Sequence, residues 1–200
     1  MGKELTTSES KTVDYYDQTA NSWTESHSTP KFWGPVEKFY QLVTAGRVLE
    51  IGCGGGRDAQ DYLIDRFDYT GVDMSEGLLA EARKRNPDGK FFKESVYELD
   101  FPDDSFDGFW AAAVLLHMPK DRIGKALTRI HSVVKSGGGG FVSVKQGEGE
   151  REDETGRWFA YYSQDEFCKV LSGNGFEVVE SDVLKTSNTT WLVYAVRCEK

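Results

Sequence analysis

Glu50, Gly52, Gly54 and Gly56 recur at every second position behind the apolar run Arg47–Ile51, and a second acid, Asp73, closes the next apolar run, Tyr69–Val72. Glycines in that place leave the main chain bare, so a ligand can lie against backbone N–H groups that side chains would cover. Acids at the ends of neighbouring strands suit the hydroxyls of a ribose. Cys53 sits inside the glycine turn with no histidine near it in sequence, and reads as a small space-filler rather than a nucleophile. His117 follows the small and apolar run Ala111–Leu116. Titrating near neutrality, it is suited to act as a base, to orient an acceptor, or simply to pack. The glycines alone do not name the ligand. A dinucleotide loop wants G-x-G-x-x-G. From Gly52 its third glycine position holds Arg57, and from Gly54 the relaxed form ending in Ala59 starts late; no G-x-x-x-x-G-K-[ST] occurs.

The elements that must hold these residues alternate along the chain. Strands are expected at 46–51, 69–73, 90–94, 106–113 and 141–145, and helices at 57–66, 76–86 (capped by Ser75) and 120–135. Gly137–Gly140 reads as a helix stop and tight turn. Such alternation points to a parallel sheet with helices on both faces. The crevice at its strand ends gathers Glu50–Gly56, Asp73, Glu94–Tyr97, Ala111–His117, Lys145 and Gln146. Ahead of the sheet, residues 11–24 and a segment opened by Pro30 (with Phe32, Trp33, Val36 and Phe39) form aromatic, amphipathic helices, either core or a roof over the site. The first ten residues are expected to be disordered. Residues 146–157 read as a polar loop, Ser163 begins a helix, and 176–184 with 189–198 form a hairpin that adds an antiparallel edge strand. No repeat or linker interrupts residues 1–200, which read as one domain with an N-terminal helical lid over 11–45.

The stretch Glu50-Ile51-Gly52-Cys53-Gly54-Gly55-Gly56, with Asp73 and Phe101-Pro102-Asp103-Asp104-Ser105-Phe106-Asp107 downstream, resembles the S-adenosylmethionine-dependent methyltransferases of the Rossmann-like (class I) fold, small-molecule type. The resemblance implies a three-layer α/β sandwich around a mostly parallel seven-stranded sheet, its last strand antiparallel in the C-terminal hairpin. It implies S-adenosyl-L-methionine as cofactor. The methionine part would lie against the backbone of Gly52, Gly54 and Gly56, with Cys53 also among the cofactor-binding residues, Glu50 ordering the loop from beneath, and Tyr16, in preference to Tyr15, bonding the carboxylate. Asp73 would accept from the ribose hydroxyls, Met74 would cover the adenine, and Ser95 and Val96 would read its edge. Many relatives carry an aspartate where this chain has Ser95, so that contact is weaker or replaced. His117 is similar to the histidine that often ends its segment in small-molecule members and is the candidate catalytic residue. Trp158, Tyr161, Tyr162 and Lys145 are candidates for the substrate pocket, with core packing the alternative for the aromatics.

The implied reaction is in-line methyl transfer to a small-molecule acceptor. Positioning alone can supply ~7–11 kcal/mol of such a barrier, and a base is needed only where the acceptor must lose a proton early. The rival readings are a catalytically silent S-adenosylmethionine-binding module and, further off, a nicotinamide-dependent oxidoreductase, for which the chain lacks a Tyr-x-x-x-Lys pair.

Composition narrows the partners. With 24 basic and 33 acidic residues the formal net charge is −9, which repels nucleic acid backbones and anionic membranes. Arg83-Lys84-Arg85 reads as a solvated helix face, and His27 and His131 as surface residues. The three cysteines are scattered and lack metal-ligand spacing, which suits a reducing cytoplasm and implies no metal. No apolar run reaches membrane length, and Met1–Ser10 has no secretory h-region. The expected partner is a small-molecule substrate, with no nucleic acid and no membrane, on a monomer or homodimer.

Overall fold

Val48, Leu49 and Ile51 leave a strand apolar on both faces, and Arg47–Ile51 accordingly folds at the centre of a sheet covered on both sides. The computed structural model describes residues 5–26 and 33–200; His27, Pro30 and Phe32 lie outside them. The strands are β1 (Arg47–Ile51), β2 (Asp68–Asp73), β3 (Lys90–Lys93), β4 (Phe106–Ala112), β5 (Val134–Lys145), β6 (Glu150–Glu152), β7 (Trp158–Ala160), β8 (Phe176–Lys185) and β9 (Thr190–Cys198). The helices are α1 (Thr7–Ser26), α2 (Trp33–Leu42), α3 (Glu76–Arg85), α4 (Ile123–Val133) and α5 (Gln164–Ser172).

Seven strands form one sheet in the order β3-β2-β1-β4-β5-β9-β8. Pairings from β3 through β5 are parallel, and β9 runs antiparallel to both its neighbours. The strand-to-strand period of two sorts the side chains into layers. Leu49, Ile51, Phe109, Ala111, Val142 and Val144 face α4 and α5, packing with Leu127, Ile130, Phe167 and Leu171. Val48, Trp110 and Phe141 face the other way, toward Phe39 of α2 and Leu79 and Ala82 of α3. The order reverses at β1/β4, so the ends of these strands open a crevice there.

Four details depart from the sequence reading. The antiparallel strand is not at the edge: β9, nearly all buried, lies between β5 and the half-polar β8, which takes the rim. Burial decides this, since an apolar strand at the edge would leave its surface and ladder exposed. Gly137–Gly140 lies inside β5 rather than ending a helix. A Cβ at Gly140 would come within 2.1 Å of the Phe109 ring, and one at Gly139 within 2.7 Å of Leu42 and Val43, so these glycines let flanking side chains lie flat on the sheet. Residues 146–157 are not all loop, because β6 pairs antiparallel with β7. The first helix starts at Thr7, inside the stretch expected to be disordered: Glu9 accepts from Thr6 N–H at 2.7 Å while Thr6 Oγ1 accepts from Glu9 N–H at 3.2 Å, a reciprocal cap.

Gly140→Ala is expected to lower the unfolding midpoint by about 5 °C or more, since overpacking a close-packed interior costs ~1–3 kcal/mol and each kcal/mol is worth ~2–4 °C in a domain of this size. Differential scanning calorimetry checks this; an unchanged midpoint would mean Phe109 has room to move.

Candidate active site

The glycine turn leaves β1 with its amides already committed to shape. Gly52 and Cys53 N–H both donate to the Val72 carbonyl (2.8 and 3.0 Å), and Gly56 N–H to that of Cys53 (3.0 Å). Gly52, Gly54 and Gly56 all have positive φ, which glycine tolerates without strain. A Cβ at Gly52 would strike Val114, and one at Gly56 would strike Asn86 and Ala82, whereas one at Gly54 meets nothing within 4 Å. Gly54 is thus the point where bare main chain faces open space. The helix expected at 57–66 is shorter and wider: Ala59–Leu63 is a π-turn closed by Ile64 N–H on the Ala59 carbonyl (2.9 Å). Asp58, which leads into it, is buried, paired with Arg57 at 2.5 Å and accepting from Trp110 Nε1 at 3.0 Å. Arg57 therefore meets a protein carboxylate.

Asp73 ends β2 beside this turn. Its Oδ2 accepts from Gly54 N–H (2.9 Å) and its Oδ1 from Ser75 N–H (2.8 Å), which fixes the carboxylate against the loop with lone pairs still unused. Burial raises its pKa, and the backbone donors at Ser75 and Gly54 oppose that shift. Glu50 lies beneath the turn, buried, accepting from the Tyr69 hydroxyl. Burial and then the charge of Asp58 push its pKa well above the ordinary value, against the Tyr69 hydrogen bond. Burial also pushes the Cys53 thiol well up, so it is a neutral filler.

Glu50 has a consequence for stability. Its pKa in the folded protein lies above the ordinary 4.5, so folding takes up a proton and stability falls as pH rises above that value. Glu50→Gln removes this cost while its amide oxygen can still accept from Tyr69. The cofactor-free variant should unfold at a higher temperature than the parent at about pH 7.5, with the gain gone below pH ~4.5. A variant less stable than the parent at neutral pH contradicts this.

These groups line one cavity of about 230 Å³. Glu50, Gly52, Cys53, Gly54, Asp73, Met74, Ser95 and Val96 line it, and so do His117 and Tyr16. Ser95 Oγ accepts from Tyr97 N–H (3.3 Å). Trp158, Tyr161, Tyr162 and Lys145 do not line it. Tyr162 is buried, ring to ring with Phe167 at 4.8 Å, and Lys145 Nζ stands 3.7 Å over Phe159, whose other neighbours include the His117 ring at 4.8 Å. The β6–β7 hairpin, whose first strand lies in the stretch read as loop from its charge, carries Phe159 into this position. Trp158 reaches the site through its backbone carbonyl, which accepts from His117 Nδ1 at 2.7 Å.

The roof is α1. Asp17 Oδ1 accepts from Ser75 Oγ (2.6 Å) and Gly77 N–H (2.9 Å), tying the helix to the start of α3. Thr12 Oγ1 accepts from Trp158 N–H at 2.8 Å, tying it to the hairpin. Glu9 accepts from the Tyr97 hydroxyl and pairs with Arg122, both partners buried, with the guanidinium 4.3 Å over the Tyr97 ring. Sequence reasoning placed Tyr97 in the crevice but missed Glu9, Asp17 and Arg122. Only the helical spacing of Val13, Tyr15, Tyr16, Ala20 and Trp23 hinted at an apolar face, and nothing local marked Glu9 as buried. Ala113, also in the cavity wall, has φ +55 where β4 ends, its N–H held by Ser143 Oγ at 3.0 Å. Among the described residues no group of three or more His, Cys, Asp or Glu is placed to hold a metal ion, and no helix is long and apolar enough to cross a membrane.

Residues 48–138 match the methyltransferase domain family model. The chain is 29% identical over 208 residues to 27-O-demethylrifamycin SV methyltransferase of Amycolatopsis mediterranei, covering 92% of this chain and 73% of that one. It is 31% identical over 96 residues to demethylmenaquinone methyltransferase of Renibacterium salmoninarum, covering 48% of this chain and 40% of that one. Among solved structures it superposes on Burkholderia thailandensis 1,6-didemethyltoxoflavin-N1-methyltransferase with bound 1,6-didemethyltoxoflavin and S-adenosylhomocysteine, with TM-score 0.78 and 22% identity over 100% of this chain and 94% of that one. The strand order with β9 inverted, the acid-led glycine turn against Asp73 and the match agree: residues 48–138 match a methyltransferase domain, carried on the Rossmann-like fold of the S-adenosylmethionine-dependent methyltransferases.

Proposed function

We propose that this protein transfers a methyl group from S-adenosyl-L-methionine to a small-molecule acceptor inside the cavity roofed by α1. One observation carries the reading. One cavity joins the open cradle at Gly54 and the fixed carboxylate of Asp73 to the Tyr16–His117 pair. The residues fit the cofactor: Gly54 offers backbone where a Cβ would intrude on free space, and Asp73 keeps lone pairs for two hydroxyls. When bound, the cofactor supplies a methyl group on a sulfonium sulfur. Gly52 and Gly54 receive its amino-acid part, Asp73 orients the ribose, and Met74, Ser95 and Val96 flank the adenine.

The size of the space and its cover of α1 favour a small acceptor over a polymer. The relatives named for a rifamycin and a toxoflavin precursor support the same class. A thermal-shift screen tests this. At about 100 times its dissociation constant a ligand adds ~2.7 kcal/mol, or roughly 5–10 °C here. S-adenosylmethionine and S-adenosylhomocysteine should produce such shifts, and NAD and NADP none. A shift with NAD alone would favour the oxidoreductase reading. Cofactor binding with no methyl release to any of a broad acceptor panel would favour the silent module.

A further inference from the structure

We infer that no base among the described residues deprotonates the acceptor: His117 is a positioning residue that holds Tyr16, and the acceptor enters with its attacking atom already ionised, as an acidic phenol or thiol does near neutral pH. This rests on the methyltransferase reading and narrows it. His117 has no ring nitrogen to spare. Its Nδ1–H donates to the Trp158 carbonyl (2.7 Å), which leaves Nε2 as the acceptor of the Tyr16 hydroxyl (3.0 Å). The imidazole is thus a strut between the roof helix and the hairpin. The charged groups around it work against a proton on it. Arg157, from the hairpin side, stands 5.8 Å over the Tyr16 ring, Lys145 at the end of β5 stands across Phe159, and the opposing anion is Asp153, itself paired with Arg157 at 2.8 Å. Burial, and then these cations, hold its pKa down at about 4, while burial lifts Tyr16 to about 12.

The carboxylates of the cavity wall are engaged as well. Glu9 is bonded to Tyr97 and Arg122, Glu50 to Tyr69, Asp58 to Arg57 and Trp110, Asp73 to Gly54 and Ser75, and Glu94 to Asp100 N–H at 2.9 Å. Beside the Tyr16–His117 pair a neutral alkyl alcohol would meet the neutral Tyr16 hydroxyl, which can accept a hydrogen bond but not take the proton, while the open lone pairs of Asp73 are those the ribose would use. An anion would find the field of Arg157 through the Tyr16 hydroxyl. The step then balances without a proton. The acceptor's lone pair forms the new bond to the methyl carbon as the carbon–sulfur bond breaks, and that electron pair stays on sulfur.

Two measurements test this. Long-range proton–nitrogen correlation spectra of nitrogen-15-labelled protein, saturated with S-adenosylhomocysteine, read the His117 tautomer directly. The expected result is an Nδ1-protonated, neutral ring from about pH 5.5 to 9; a ring that gains a proton between about pH 6 and 7, or carries its proton on Nε2, overturns the inference. Methyl transfer to phenols and thiols of graded acidity, with alkyl alcohols beside them, is the second. Rates should rise with the ionised fraction of each acceptor, and His117→Gln should lose less than about tenfold in kcat without moving the pH profile. Loss of ~10²–10⁴-fold together with a limb near pH 6–7 that vanishes in the variant would mark His117 as the base, as would turnover of the alcohols. Calorimetric titration of the wild-type protein with S-adenosylhomocysteine separates failure of this inference from failure of the methyltransferase reading. If no acceptor in the panel is methylated, the tautomer still decides.

Discussion

Asp73→Ala is expected to weaken S-adenosylhomocysteine binding by at least a hundredfold while leaving the protein folded. The carboxylate does two jobs. It accepts from Gly54 and Ser75 amides, which sets the glycine turn against β2, and it presents the remaining lone pairs to the cavity. Hydrogen bonds to a charged group are worth ~1.5–3 kcal/mol each, so losing a pair to the ribose costs ~3–6 kcal/mol, or about 10²–10⁴-fold in affinity. Asp73→Asn should fall between, since its amide oxygen can replace one acceptor and its NH₂ opposes an amide donor. Isothermal titration calorimetry reads the affinity and circular dichroism the fold. Unchanged affinity in Asp73→Ala would remove the ribose role.

Breaking the clasp between Glu9 and Arg122 should be the most damaging change to stability away from the sheet. The pair is buried, and Glu9 also accepts from Tyr97 and Thr6. Removing one partner of such a pair leaves a buried charge unmatched, at ~3–5 kcal/mol. Arg122→Met is therefore expected to lower the unfolding midpoint by about 10 °C. The double change Glu9→Leu with Arg122→Met should recover most of that, because an apolar replacement of both partners abolishes the desolvation cost as well as the attraction. Hydrogen exchange gives the local reading: amides of α1 from residue 9 to 16 should lose protection in the single variant before those of β1 and β4 do. Equal destabilisation by single and double changes would mean the site needs the polar cluster for some reason other than charge balance.

The sheet and the cofactor end of the site could be read from the chain because they rest on short-range signals. An apolar run, glycines at alternate positions and an acid at the next strand end are contiguous, and each has one physical meaning. The positions of β1, β2 and α3 agree with the spacing to within a residue or two. The departures come where tertiary packing outranks local preference. Four successive glycines suggest a turn, yet Phe109, Leu42 and Val43 need flat backbone beneath them, and β5 runs through. The β9 strand goes inside and β8 to the rim because of burial that no local window reports.

The acceptor side was the least legible. Trp158, Tyr161, Tyr162 and Lys145 have the composition of a ligand wall, but none of them lines the cavity, and the β6–β7 hairpin instead sets the Trp158 carbonyl on His117. Glu9 looked like part of a solvated tail; its burial depends on Arg122, 113 positions further on. His117 was found by its chemistry, but its partners, one from the first helix and one a backbone carbonyl, are what determine its role.

A crystal structure of the protein with S-adenosylhomocysteine tests the central claim most directly. The account predicts both ribose hydroxyls within hydrogen-bond distance of the Asp73 carboxylate, the amino-acid tail along Gly52–Gly54 and the sulfur facing the space beside Tyr16. An empty cavity at saturating ligand, or the ligand seated elsewhere with Asp73 bonded only to Gly54 and Ser75, would contradict it.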